Sequence, residues 1–532
     1  MRKIYKALMI VAVAFIAVLT VSSQETRIVK VDGWDPASGE PDTIYNNVLF
    51  DAIEADTTAR KTNPNVIFEL TPGHKYPQGK VIQNYDYHLH IRAGEGEGLQ
   101  PELIPGKRTN GTYGSDYINS YNDLTIQNIT LNGYRPDGSY LNRMIEARGP
   151  GQRYVAEGCI FDGDRGAGIV VRADSMKVYV RDVIVGNCGH RMTGGGNGRI
   201  LDMRPEALWL DTLIIQNSTV NNASDRVIRN MGTEVGYLEI DHLTSLNTVG
   251  YHGGIQLGYV HTAIVTNSLF ANTISLGHYE SRTNEQTQPE KHFAVISLDT
   301  IFEGQTIEIS NNNIYWDQEI IDVWAKYDSV EAPWPITPTI ETALGDAAAD
   351  AFFVEPLVMT LTCGPINAYV DGYLTNPAAD AFPENWCVGG EGGYFLDEAD
   401  LSYPSDAASY TAAIGGYPVG NLNYFPDKKA EWEAGIGLGV ESLVNVHNST
   451  LRNYPNPFNN TTIIAYELEG SSDVTLEVYD ITGRSVRSLV NEYQSAGSHE
   501  ITFDAAGLPG GMYFYKLDSG SQVQVNNMII SK

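Results

Sequence analysis

Apolar residues recur through the middle of the chain in short alternating strands. Most of these strands are followed by a polar or glycine residue and then, three positions on, by another apolar residue. The segments are LTIQNITLNG (124–133), YVAEGCIFDG (154–163), VYVRDVIVGN (178–187), LIIQNSTVNN (213–222), EIDHLTSLNT (239–248), AIVTNSLFAN (263–272) and IEISNNNIYW (307–316). Their closing apolar positions are Leu131, Phe161, Val185, Val220, Leu246, Phe270 and Ile314, spaced by 30, 24, 35, 26, 24 and 44 residues. A period of about 25 residues with insertions is one coil of a β-solenoid. A second strand falls within each coil: RMIEAR (143–148), AGIVVR (167–172), RILDMR (199–204), RVIRNM (226–231) and GGIQLG (253–258). The leucine and asparagine pattern of leucine-rich repeats is missing, which leaves a right-handed parallel β-helix. Each coil exposes backbone edges that only the next can satisfy, so the ends need covers. Val48, Leu49, Ala52 and Ile53 share one helical face before Thr57 and predict a capping helix. VIFEL (66–70) and YHLHIR (87–92) are expected to be the first strands.

The pattern stops near Gln318. Residues 318–445 are rich in Pro, Gly and Ala without a period, and are expected to pack along the helix or cap its far end. At the other end, Arg2, Lys3 and Lys6 precede the apolar run Ala7 to Val21, with Val21 and Ser23 suited to cleavage before Gln24. That is a secretory signal over residues 1–23 rather than a membrane span. No later run of 18 apolar residues occurs, so no transmembrane anchor is expected in the mature chain. In an exported chain, Cys363 and Cys387 are the better-placed pair for a disulfide, whereas Cys159 and Cys188 read as buried thiols. The 532 residues carry a net charge of −30, a poor basis for holding nucleic acid.

From Leu451 the composition changes. NYPNPFNNTT (453–462) is followed by alternating strands, VYDITGR (478–484), LPGGMYFYKL (508–517) and a terminal Lys532. The pattern reads as a small β-sandwich over 446–532. Residues 451–532 strongly resemble the type A C-terminal sorting domain of the type IX secretion system. One departure is Asn460, where such domains often carry Pro. The resemblance implies a Gram-negative exporter, a partnership with that secretion machinery, and secretion or attachment at the outer-membrane surface. The expected architecture is therefore all-β: a signal peptide, a β-helix with a helical cap over 24–317, an irregular extension over 318–445, and a C-terminal sandwich.

The repeat region, 27–317, resembles the pectate-lyase-like right-handed β-helix superfamily by repeat form and not by a catalytic motif. That resemblance implies a ligand groove along stacked strands and polysaccharide as ligand. If Ile145, Ile169, Leu201, Ile228 and Ile255 point inward, one outward column reads Arg148, Arg172, Arg204, Met231, Gly258. Its neighbour reads Glu146, Val170, Asp202, Arg229, Gln256. Arg143, Arg199 and Arg226 recur at the strand starts, and a bend is expected to re-aim them to solvent. Two explanations stand for this ribbon. One is a salt-bridge ladder with Glu146 and Asp202; the other is a groove for an anionic polysaccharide, lined by Arg148, Arg172, Arg199, Arg226, His190 and Tyr251. Superfamily lyases commonly use Arg or Lys as base, with calcium held by acids and amides. By that resemblance Arg204 or Arg229 is the candidate base, His252 or Tyr251 the proton donor, and Glu146 and Asp202 the ligands for calcium (Ca2+). YHGGIQLG (251–258) is also similar to the Gly-His-Gly stretch of polygalacturonases, but their paired aspartates are missing. Asn128, Asn217, Asn267 and Asn311, with Asp182, recur at one turn position and predict a stacked asparagine ladder.

Overall fold

The computed structural model describes residues 26–39, 46–188, 198–204, 207, 209–250, 252–279, 294–327, 330–359, 366–375, 400–436, 451–454, 458–468, 470–480, 485–509, 511–519 and 523–530. The chain divides into two compact units. One comprises residues 1–301 and 305–424, the other 302–304 and 425–532.

The first unit is a right-handed parallel β-helix with three faces, entered in the same order in every coil. Face A includes Leu124–Gln127, Arg153–Glu157, Met176–Arg181, Trp209–Gln216 and Glu234–Asp241. Face B follows with Thr130–Asn132, Ile160–Asp162, Ile184–Cys188, Thr219–Ala223 and Thr244–Thr248. Face C closes the coil with Ile82–Asn84, Ile118–Ser120, Arg143–Ala147, Ala167–Val171, Leu201–Met203 and Ile228–Asn230. The strand Ile255–Thr266 serves two faces, its start pairing on C and its end on A. Alternation turns one residue in two into a continuous interior, in which Ile126, Phe161, Val178, Leu213, Ile240 and Phe270 are fully or almost fully buried. Burying each such side chain contributes about 1.5–3 kcal/mol. At the open end, helix α1 (Val48–Ala55) buries Leu49 and Ile53 against the first coils, as its apolar face predicts. The first strand is Arg27–Val31, ahead of VIFEL and paired with it in parallel.

Sharp turns set the register. The A-to-B turn needs one residue in the left-handed region, and Asn128, Gly158, Asp182, Asn217, His242, Asn267 and Asn311 all have φ between 46° and 61°. Asparagine tolerates that conformation better than most residues with a Cβ. Its amide also bonds along the stack, from Asn217 to Asp182 and from Asn267 Nδ2 to Asp241 Oδ1 at 2.7 Å. A second ladder, not read from the sequence, ends the B strands at Asn187, Asn222, Asn247 and Asn272, again with positive φ. There Asn222 donates to Asn187 at 3.3 Å and Asn272 to Asn247 at 3.0 Å. These turns correct one position of the repeat. The residue stacked between Val220 and Phe270 is Ser245, not Leu246.

The ladder continues past Gln318, where the sequence pattern fades. After helix α2 (Gln318–Trp324), Trp334–Ile336 adds a strand to face C and Phe352–Phe353 one to face B. Residues 409–424 then run back along the asparagine turns and face B. Leu422 N bonds Asn217 Oδ1 at 2.5 Å, Ile414 N bonds Asn267 Oδ1 at 2.8 Å, and Asn421 N bonds Thr244 Oγ1 at 2.9 Å. Cys159 and Cys188 are free and buried, as expected, while residues 1–23, Cys363 and Cys387 lie outside the described residues.

The second unit contains a sandwich of antiparallel sheets. One joins Arg452–Tyr454, Thr461–Leu468 and Gly497–Asp504; the other joins Ser485–Gln494, Ser472–Asp480, Gly511–Asp518 and Val523–Ile530. Ile464, Leu476, Phe503, Tyr515 and Met528 fill the space between them.

Candidate functional site

Face C carries the charged ribbon. Its strands pair Ile145 with Ile169, Ile169 with Leu201, Leu201 with Ile228, and Ile228 with Ile255, which is the inward column expected. Glu146, Val170, Asp202 and Arg229 therefore stack outward as one column. The residue one past each strand forms a second. Backbone bonds from Arg148 N to Ser120 O, Arg172 N to Ala147 O, Arg204 N to Val171 O and Met231 N to Met203 O continue the ladder through it. Traced toward the N-terminus, the same column reaches Tyr121 and Tyr85, whose rings stack at 4.5 Å between centroids.

The carboxylates lie underneath. Glu146 is fully buried, accepts from Arg143 Nη1 at 2.5 Å and Arg172 Nε at 3.1 Å, and forms an ion pair with Arg148 Nη2. Asp202 takes a two-pronged bond from Arg229, Nε at 2.7 Å and Nη2 at 2.6 Å, with Arg199 and Arg204 each at 3.4 Å. Asp225 is fully buried and meets Arg226 Nε at 2.9 Å, Arg199 Nη2 at 3.2 Å and His252 Nδ1 at 3.2 Å. Asp116 stands 3.8 Å from Arg143. Burial alone would raise the Asp202 and Asp225 carboxyls. The surrounding guanidiniums outweigh it and hold both below the usual carboxylate range. Burial pulls Arg199 down to about 10, opposed by Asp225 and Asp202. Seven arginines thus meet four carboxylates, leaving a cationic surface on an acidic protein.

The structure separates the arginines expected to line a groove. Arg148, Arg172, Arg204 and Arg229 reach the surface, with side chains 36%, 17%, 24% and 19% exposed. Arg199 and Arg226 do not: their side chains are 1% and 5% exposed. Contrary to the expectation that a bend re-aims them to solvent, they turn onto the buried carboxylates of Asp202 and Asp225. Glu146 and Asp202 are a poor fit to calcium as placed, because each is already neutralised by three guanidiniums. No group of three or more His, Cys, Asp or Glu side chains suited to a metal occurs among the described residues. His252 sits beside Asp225, within reach of the ribbon, while His190 and Tyr251 lie outside the described residues. Sequence reasoning missed Asp225, which lies in a turn where strand alternation says nothing. The Asp225-Arg226 pair was the available signal. It also missed Tyr85 and Tyr121, since their three-residue strands, IQN and INS, are too short to show a period.

Among the described residues no helix is long and apolar enough to cross a membrane. No curated protein matches the chain. A family model does match residues 452–531, and its description is a secretion system C-terminal sorting domain. The match falls on the antiparallel sandwich and on the motifs NYPNPFNNTT, VYDITGR and LPGGMYFYKL. Behind its parallel β-helix, this chain carries a C-terminal sorting domain of the type IX secretion system.

Proposed function

We propose that this is a secreted or surface-attached protein of a Gram-negative bacterium that binds an anionic polysaccharide along face C, without chemistry of its own. The observation that carries the reading is the solvent-facing column of Arg148, Arg172 and Arg204 above buried Glu146 and Asp202. Neighbouring coils are ~4.8 Å apart. Two guanidiniums at that spacing repel by about 3 kcal/mol at an effective dielectric near 20. The buried carboxylates offset part of this and hold the side chains in place. The remaining positive charge suits repeated carboxylates or sulfates at a similar spacing, and the guanidinium fork matches both. The test is binding of the mature chain to acidic and neutral polysaccharides. Retention of acidic glycans that weakens with salt, and that falls about tenfold in Arg172→Ala/Arg204→Ala, supports the reading. Unchanged binding with a lowered melting temperature would leave a salt-bridge ladder only.

One observation favours a second reading, a polysaccharide lyase on the same face. Burial, aided by Arg229, Arg172 and Arg143, lowers the Arg204 pKa, and its contacts are Asp202 at 3.4 Å and Met231 Sδ at 3.6 Å. It is held less tightly than Arg229, so it is the better base for removing the proton beside a uronate carboxylate. A rise in ultraviolet absorbance from the unsaturated product, abolished by Arg204→Ala, would establish that activity.

A further inference from the structure

The column that carries the three arginines does not begin with them. In register, one residue past each face C strand, it reads Tyr85, Tyr121, Arg148, Arg172, Arg204, Met231. Tyr85 and Tyr121 stack with an interplanar angle of 21°. Asn84 fixes the base of the stack, its Oδ1 accepting from Ser120 Oγ at 2.6 Å and from Tyr121 N at 3.2 Å. Tyr85 nevertheless remains 60% exposed, although Tyr121 covers one of its faces. A tyrosine held in place by a stacked neighbour, with its other ring face open, is a ready platform for a partner with a flat apolar surface. Adjacent arginines make that partner polyanionic, and the ring makes part of it apolar and flat. A sugar chain bearing acid groups has both features: C–H faces on its pyranose rings and carboxylates or sulfates at their edges.

We infer that Tyr85, supported by Tyr121, is a sugar-stacking subsite at one end of the arginine column. It holds a pyranose ring of the same anionic chain whose acid groups lie on Arg148, Arg172 and Arg204. The inference rests on the proposed binding function and adds a direction and a minimum length to it. Four coil steps from Tyr85 to Arg204 span ~19 Å, whereas the arginines alone span ~10 Å. A short oligomer fills the arginines; only a longer one also reaches the tyrosine.

The test uses the full mature chain, with trigalacturonate, octagalacturonate and the neutral cellohexaose as probes. Tyr85→Ala should weaken octagalacturonate about five- to tenfold and leave trigalacturonate unchanged. Tyr85→Trp should restore the affinity, and the salt dependence should stay as in the parent. Arg172→Ala/Arg204→Ala should instead weaken both acidic oligomers and flatten the salt dependence. If Arg172→Ala/Arg204→Ala weakens octagalacturonate but Tyr85→Ala does not, the subsite is refuted and the binding function stands. If only cellohexaose binds, and needs Tyr85, the anionic reading falls while the stacking platform survives. If no probe binds, both fall.

Discussion

The buried acids couple stability to pH in opposite directions. Asp202 and Asp225 are held below the usual carboxylate range by their arginines. The stability they contribute is present above the unfolded carboxyl pKa of about 4 and is lost as pH falls through their lowered values. Asp164 runs the other way. It is fully buried, accepts from Cys188 Sγ at 3.2 Å, and leaves Oδ1 without a hydrogen bond. Burial raises its pKa to about 7. The unfolded chain loses this proton near pH 4 and the folded one near pH 7, so stability from this group falls between those limits as pH rises. Asp164→Asn should therefore reduce the fall in melting temperature between pH 5 and pH 7 and raise the melting temperature at pH 8. Glu239, whose carboxyl burial also raises to about 7, keeps part of the slope. An unchanged profile in differential scanning calorimetry would show that the group is ionised and paired. Asp202→Ala should have the opposite sign at neutral pH. It removes the carboxylate that Arg199, Arg204 and Arg229 share as an ion-pair partner, and should cost about 3–5 kcal/mol in denaturant unfolding. The arginines of this site were legible because they recur with the coil. Asp164 and Asp225 were not, because each occurs once, in a turn, and only the folded coil brings it beneath a neighbour.

Turns, more than apolar patterning, hold the coils in register. Leu246 has the hydrophobicity that the repeat asks for, yet Ser245 occupies the interior position. The left-handed turn at His242 fixes where the B strand begins, and Thr273 Oγ1 pairs with Ser245 Oγ at 2.9 Å. Period and face C register were readable because every coil restates them. The continuation to Phe353 was not, because helix α2 interrupts the spacing. The segment 409–424 was opaque for a different reason: it docks through backbone amides together with single side-chain bonds such as Asn421 Nδ2 to Thr219 Oγ1, and neither leaves a repeating pattern. Its tightest point is Gly420, with φ of 90°, where an added Cβ would stand 2.6 Å from Thr244 Oγ1. Gly420→Ala should therefore lift this segment from face B at a cost of at least about 1 kcal/mol. Hydrogen exchange should report the loss at Asn421 and Leu422, which bond to Thr244 and Asn217, while the interior amides of face C keep their protection. Equal loss on both faces would mean that the segment is integral to the helix rather than laid upon it.

On the proposed function, the two units divide the work between destination and binding. The sorting domain has its own core between two antiparallel sheets, and its register is complete without any strand from the β-helix. The β-helix in turn closes its first coils with α1 and carries its ladder on to Phe353 without the sandwich. Among the described residues, the strand pairings of each unit are made within that unit. Removing residues 451–532 should thus leave the unfolding transition of the β-helix within about 0.5 kcal/mol of the parent. Retention on acidic glycans should also be unchanged, because every arginine of the column lies in the first unit. Export should fail, with the truncated chain held in the periplasm while the parent reaches the surface or medium. Fractionation of cells expressing both forms reads the second outcome, and glycan binding by the purified proteins reads the first. Loss of binding on truncation would mean that the sandwich contributes to the glycan site. Surface delivery of the truncated chain would mean that the β-helix carries an export signal of its own.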